Sequence, residues 1–280
     1  MAEIGSNQRF LTRLRVGTIG GTPLERLTIH TALGNAAASR GYRVSSTWTT
    51  PATELSPFDE RNARLEFNTG IRSYELLSIN IEVDLKLAIA RIAQIDAALV
   101  LIDAVSGPTA SAREQALLLR QLTVGAVIVA LTDASEVDDD ALDLVELEVR
   151  ELLTTYGFAG DSVPVVRLAA ADGETTGFLT SVSVLIEAFD AAIPLPLLDS
   201  SAPFLMPVET ISLGPETVFT GRIERGSVRV GQQLELVGLR PTRAVMVQSV
   251  ERSGQILARA VAGETVHLRL VGVEIGRAHV

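Results

Sequence analysis

Arg13-Leu-Arg-Val-Gly-Thr-Ile-Gly20 runs directly into Gly21-Thr-Pro-Leu-Glu25-Arg26-Leu27-Thr28. The first block reads as a buried strand ending in a Gly-Gly turn, and the second as the opening of a helix, the context in which nucleotide-binding loops sit. Such a loop needs G-x-x-x-x-G-K-[ST], because backbone N–H groups cradle the phosphates, the lysine neutralises them and the hydroxyl holds magnesium. Against that requirement Pro23 removes one N–H donor, and Glu25 stands where glycine would let backbone approach phosphate. Its carboxylate would repel each phosphate charge by roughly 3 kcal/mol at about 5 Å and an effective dielectric near 20. Arg26 keeps the positive charge without the compact shape of an ammonium, and Leu27 cannot ligate magnesium. The hydroxyl of Thr28 comes one position late. The only lysine of the chain is Lys86.

A chain of 280 residues is long enough for two domains, and 47% hydrophobic with 21% charged residues is the balance of a globular protein with a sizeable core. No run of eighteen apolar residues and no signal-like start is present, so neither a membrane span nor secretion is expected, and the expected location is cytoplasmic. Without cysteine there is no disulfide, thiolate metal site or thiol nucleophile. His30, His267 and His279 are too few and too scattered for a metal centre, and each reads as packed or solvated. The net charge of -10 argues against bulk attraction to nucleic acid.

After a polar leader over 1–8, strand-like runs at 13–19, 64–69, 73–79, 97–103, 126–131 and 164–168 alternate with helical patterns near 25–39, 84–94, 111–123, 138–155 and 176–191. That alternation predicts a mostly parallel sheet with flanking helices over 9–192. The Pro- and Ser-bearing stretch 193–202 reads as a linker. Beyond it, from 203 to 273, short strands separated by glycine turns predict a small antiparallel β-barrel.

Val16-Gly-Thr-Ile-Gly20, Gln94-Ile-Asp-Ala-Ala-Leu-Val-Leu-Ile102, the block from Val137 to Leu153, Pro164-Val-Val-Arg167 and Thr220-Gly-Arg-Ile-Glu-Arg-Gly226 resemble elongation factor Tu, a translational GTPase family. The resemblance is collinear from about Arg13 to Val273. It implies a P-loop-GTPase-like α/β domain followed by the translation-factor β-barrel, with the family's third domain missing. The family's activity is GTP hydrolysis, and its cofactors are GTP and magnesium. Under the resemblance, the guanine-reading N-K-x-D motif falls on Thr132-Asp133-Ala134-Ser135, so that Ser135 replaces the carboxylate that reads the base. The segment that places magnesium, γ-phosphate and attacking water falls on Ser78-Ile-Asn-Ile-Glu82, where Glu82 takes the place of the family's histidine. The first switch's threonine falls on Asp59, and the element supporting the base on Ala169-Ala170.

Five elements of one site are altered while the strands and helices between them stay recognisable. The expectation is a pseudo-GTPase: a non-enzymatic binding module near translation, with no catalytic residue and no cofactor. The alternatives are a functional GTP-dependent elongation factor that delivers aminoacyl-tRNA, and an inactive gene fragment. A degenerate phosphate loop (Gly20, Gly21, Thr22, Arg26, Thr28) and guanine motif (Thr132, Asp133, Ser135) are the candidate site residues, and no metal is expected.

In the barrel, Thr220, Gly221 and Glu251 match the surface that encloses the tRNA's aminoacyl end. In the 138–155 helix, Leu142, Val145, Val149, Leu152 and Leu153 share one arc at 100° per residue, while Leu144 and Leu147 point the other way beside Glu151. In the family that face meets the exchange factor, elongation factor Ts, and the ribosomal stalk protein. Residues Glu274–Val280 depart from the family and match a translated sequencing adapter, so a non-native tail and an incomplete barrel are expected.

Overall fold

The computed structural model describes residues 13–46, 64–69, 71–170, 176–195, 199–212, 217–238, 241–252 and 254–271. The expectations for Asp59 and for the tail at 274–280 therefore lie outside the described residues. The chain divides into two compact units, Met1–Leu195 and Pro196–Val280.

In the first unit the elements follow in the order β1 (Arg13–Gly20), α1 (Pro23–Ser39), β2 (Val44–Ser46), β3 (Arg64–Asn68), β4 (Ser73–Ser78), α2 (Leu85–Ile92), β5 (Ala97–Asp103), α3 (Ala110–Gln121), β6 (Ala126–Thr132), α4 (Asp139–Thr155), β7 (Val165–Arg167) and α5 (Thr176–Ala192). The strands form one sheet in the order β2-β3-β4-β1-β5-β6-β7. Pairing is parallel from β4 through β7 and antiparallel at β2-β3 and β3-β4. The sheet is mostly parallel, as its near-continuous apolar strands require. Strand β2 escaped the sequence reading, since three residues of Val-Ser-Ser carry no periodic signal.

Alternation along β5 shows how the sheet carries two cores. Leu99 and Leu101 face the cluster built on α1 and α5, whereas Val100 and Ile102 face the one built on α2, α3 and α4. On the second face the sheet is polar near β3, where the buried Glu75 sits within 3.0–3.3 Å of Arg13, Arg15 and Arg64. Burial opposes ionisation of Glu75, but the three guanidinium charges outweigh it and hold its pKa below the usual carboxylate range. Ile193, at the start of the expected linker, is buried in the first unit's core.

The second unit holds β8 (Thr210–Ser212), β9 (Val218–Arg222), β10 (Ser227–Arg229), β11 (Gln233–Leu236), β12 (Arg243–Arg252), β13 (Gln255–Leu257), β14 (Arg259–Val261) and β15 (Thr265–Val271). An antiparallel sheet runs β11-β12-β15-β9-β8, with β13 also on β12, and a separate ribbon pairs β10 with β14. Among the described residues this sheet does not close on itself. Its core is Ile223, Val228, Val247, Val250, Val266 and Leu268 with two alanines.

Candidate functional site

The carboxyl ends of the parallel strands open on a cleft of about 700 Å³, lined by the Gly20–Arg26 turn, Ile79–Glu82, the loop after β5, Gln115 and Asp133. Clefts at this end of an open α/β sheet are where ligands bind. The turn requires glycine: Gly20 and Gly21 have φ of 83° and 57°, and a Cβ on Gly20 would lie 2.4 Å from the Leu101 carbonyl oxygen.

Helix α1 starts from a capping box. The Thr22 hydroxyl accepts the Glu25 N–H at 3.2 Å, and the Glu25 carboxylate accepts the Thr22 N–H at 2.5 Å. Pro23 occupies the first helical position, where its missing N–H costs nothing. A carboxylate of the chain itself thus sits at the positive end of α1, the position at which a helix binds an external anion. The Thr132 hydroxyl lies 3.5 Å from its other oxygen.

Arg26 does not reach into the cleft as a phosphate lysine would. Its side chain is buried at 3% exposure, with Nη1 donating to the carbonyls of Gly20 and Gly21 at 2.7 and 2.8 Å and Nε donating to the Ser78 hydroxyl at 3.0 Å. Leu27 packs in the core, and Thr28, half-buried on α1, is not among the residues lining the cleft. Behind the turn His30 is fully buried, its Nε2 2.7 Å from the Thr18 hydroxyl, and burial, with the Arg26 charge adding, pushes its pKa down to about 3.

On the opposite wall the Asn80 carboxamide oxygen accepts the N–H groups of Glu82 and Val83 at 3.1 and 3.3 Å, which fixes the loop that carries the exposed Glu82. Asp133 is left-handed, with φ 54°, and burial raises its pKa, reinforced by the charges of Glu25, Glu136 and Asp103. Ser135 uses its hydroxyl to accept the Ala170 N–H at 2.9 Å, so it ties two loops together instead of facing the cleft. Among the described residues no group of three or more His, Asp or Glu is placed to hold a metal ion.

The sequence-derived residues Gly20, Gly21, Thr22, Arg26, Glu82 and Asp133 therefore meet at one cleft, whereas Thr28, Thr132 and Ser135 do not line it. Asp103, Gln115 and Glu136 line it too and escaped the sequence reading. Asp103 was open to view as an acid at the carboxyl end of a parallel strand, and Thr22-Pro-Leu-Glu25 as a capping box; Gln115, inside a helical pattern, gave no signal.

A family model described as the elongation factor Tu GTP binding domain matches residues 85–195, and one described as elongation factor Tu domain 2 matches residues 216–280. Together the two take in well over half of the chain. The chain belongs to the elongation-factor-Tu-like translational GTPases. The Gly20–Thr28 turn and Ser78–Glu82 precede the first match, and Thr132–Ser135 lies inside it.

In the Tu-like second unit, Thr220 and Gly221 lie within β9 and Glu251 within β12, on either side of β15. His267 joins them, since it is in register with Thr220 on one side and Glu251 on the other, with Nδ1 2.8 Å from the Thr220 hydroxyl. Thr220–Arg222 belong to β9, and the rest of the 220–226 block leaves the strand, with Gly226 at φ 77°. Gly221 has a packing reason to be glycine: a Cβ there would lie 2.1 Å from the Pro207 carbonyl oxygen.

On α4 of the Tu-like first unit, Leu144 and Leu147 are 63% and 53% exposed, with Glu151 exposed as well, while Leu142, Val149, Leu152 and Leu153 are buried. Beside that face Arg167 bridges Asp143 and Glu146 at 2.5 and 2.9 Å.

Proposed function

We propose that this elongation-factor-Tu-like chain is a pseudo-GTPase, a translation-associated binding module whose nucleotide cleft no longer takes GTP or GDP. One observation carries the reading: the anion position at the start of α1 is taken by the Glu25 carboxylate, and the Arg26 charge is folded back onto the Gly20 and Gly21 carbonyls. A triphosphate would have to displace the first and unfold the second. It would also meet Asp103, Asp133 and Glu136 in the same cleft. No cofactor is needed for a role of this kind, and none of the cleft residues is assigned a catalytic one.

The partners proposed are elongation factor Ts or the ribosomal stalk protein, docking on the exposed Leu144, Leu147 and Glu151 face of α4. The proposed location is the cytoplasm; no helix among the described residues is long and apolar enough to cross a membrane. Family membership and the retained Gly20-Gly21 turn favour a second reading, a working GTPase that carries aminoacyl-tRNA on Thr220, Gly221 and Glu251 with GTP and magnesium as cofactors.

Titration calorimetry of the full chain with GTP and GDP, with and without magnesium, separates the two. The pseudo-GTPase expectation is no saturable binding at micromolar concentrations. A dissociation constant at or below the micromolar range for either nucleotide overturns it.

A further inference from the structure

We infer that the second unit binds a phosphomonoester, in a pocket of about 490 Å³ between the β10-β14 ribbon and the segment from Ser200 to Phe204. Arg229 and Arg259 stand directly opposite one another in the antiparallel register of that ribbon, and both line the pocket with Ser227. Alternation sends Val228 and Ala260 the other way, into the core at 0% and 1% exposure, so Ser227, Arg229 and Arg259 share the outward face. Like charges placed opposite across two strands repel. In a chain with 34 acidic and 24 basic residues such a pair should draw a carboxylate. Yet neither arginine forms an ion pair among the described residues, and no Asp or Glu lines the pocket.

The second wall of the pocket is tied to the ribbon. The Gly226 N–H donates to the Asp199 carbonyl at 2.7 Å, and the Leu205 N–H to the Arg225 carbonyl at 3.0 Å. Glycine at 226 permits the approach, since a Cβ there would lie 2.6 Å from the Ala202 carbonyl oxygen and from the Phe204 Cα. The Asp199 carboxylate is engaged within this wall, accepting the Ser201 N–H and hydroxyl at 2.9 and 2.6 Å and the Ala202 N–H at 3.1 Å. Arg259 Nη2 donates to the Ser227 hydroxyl oxygen at 3.0 Å, which holds the guanidinium in place and leaves the hydroxyl hydrogen to donate. Two guanidinium groups and a hydroxyl offer more donors than the two oxygens of a carboxylate use, and they suit the three terminal oxygens of a phosphate ester. Pro203 and Phe204 add an apolar wall, and the volume leaves room for an organic group beside the phosphate. Because the site lies within the second unit, it stands whether or not the nucleotide cleft takes GTP.

The test is calorimetric titration of the full chain with phenyl phosphate at low ionic strength, against inorganic phosphate, benzoate and phenol. The variants are Arg229→Gln and Arg259→Gln, made singly, both at exposed positions. Arg225→Gln, exposed in the same unit and outside the pocket lining, controls for diffuse surface attraction, and circular dichroism checks each fold. The expected result is saturable binding of phenyl phosphate, tighter than that of inorganic phosphate or benzoate, with none for phenol. Either pocket substitution should lower the affinity about tenfold or more, the scale of losing a charge-assisted hydrogen bond, and Arg225→Gln should leave it unchanged. No saturable binding of phenyl phosphate, or binding that either pocket substitution leaves unchanged, overturns the inference. So does benzoate or inorganic phosphate binding as tightly as phenyl phosphate, since the ligand class would then be wrong.

Discussion

The Thr18 hydroxyl and the His30 imidazole meet at 2.7 Å with both residues at 0% exposure, on β1 and α1 beneath the Gly20-Gly21 turn. The ring is neutral because burial, and then Arg26 one helical turn earlier, depress its pKa to about 3. A protonated His30 would set a second buried cation against the first. The floor of the cleft is therefore built for one buried positive charge, and the Gly20 and Gly21 carbonyls have taken it.

That arrangement has a pH signature. The folded pKa of His30 lies below the ordinary histidine value of 6.5, so at pH between the two the unfolded chain binds a proton that the folded chain refuses. Stability is then highest above pH 6.5 and falls on acidification, with a slope approaching about 1.4 kcal/mol per pH unit for one proton. Glu75, depressed from 4.5, adds its own loss only below that value, and Asp133, raised from 3.8, acts in the opposite sense from the low end, so the upper part of the interval from 4.5 to 6.5 reports His30. Urea unfolding across that interval should show the slope in the parent and a flatter profile in His30→Gln; identical profiles would refute the assignment.

Much of this was open to sequence reading, and the reason differs by element. The apolar runs of β1, β5 and β6 announce buried parallel strands, and Leu142, Val149, Leu152 and Leu153 mark the buried arc of α4 by spacing alone. The cleft was legible only as a set of departures from a motif. That Arg26 bonds Ser78 is a contact across 52 positions, and no local pattern carries it. Glu25 was read as a charge hostile to phosphate, although its spacing from Thr22 also fitted a helix cap; repulsion and capping are two consequences of one carboxylate at one helix end.

The ionised Glu75 is held by three arginines at 1% side-chain exposure, and neutralising it leaves their charges facing one another. Glu75→Gln should lower stability by about 3 kcal/mol or more, the scale for breaking a buried ion pair from one side. Arg64→Gln should cost far less, because the Arg64 side chain is 48% exposed. Chemical denaturation of both variants checks the ranking, which reverses if the cluster is held mainly from the Arg64 side.

Gly221 separates packing from ligand recognition in the second unit. A Cβ there meets the Pro207 carbonyl oxygen at 2.1 Å, whereas one at Gly238 meets nothing within 4 Å. Gly221→Ala should destabilise by about 1–3 kcal/mol, and Gly238→Ala should stay within about 0.5 kcal/mol. Thermal unfolding of the two variants decides it, and equal stability would mean that the segment at Pro207 yields freely.

Leu144 and Leu147 remain as the apolar pair on an acidic face, 63% and 53% exposed while Leu142 and Val149 on the same helix are 4% and 0% exposed. Isolated exposed leucines are common on protein surfaces, so exposure alone does not make a docking face. Stability and binding together do separate the possibilities. Replacing both with serine should change unfolding by no more than about 0.5 kcal/mol, because neither side chain is packed. If the face docks a translation partner, the same double substitution abolishes capture of elongation factor Ts or stalk protein that the parent shows. Capture unaffected by the substitution would move the docking face off α4, and failure of the parent to capture either protein would remove both from the proposed partners.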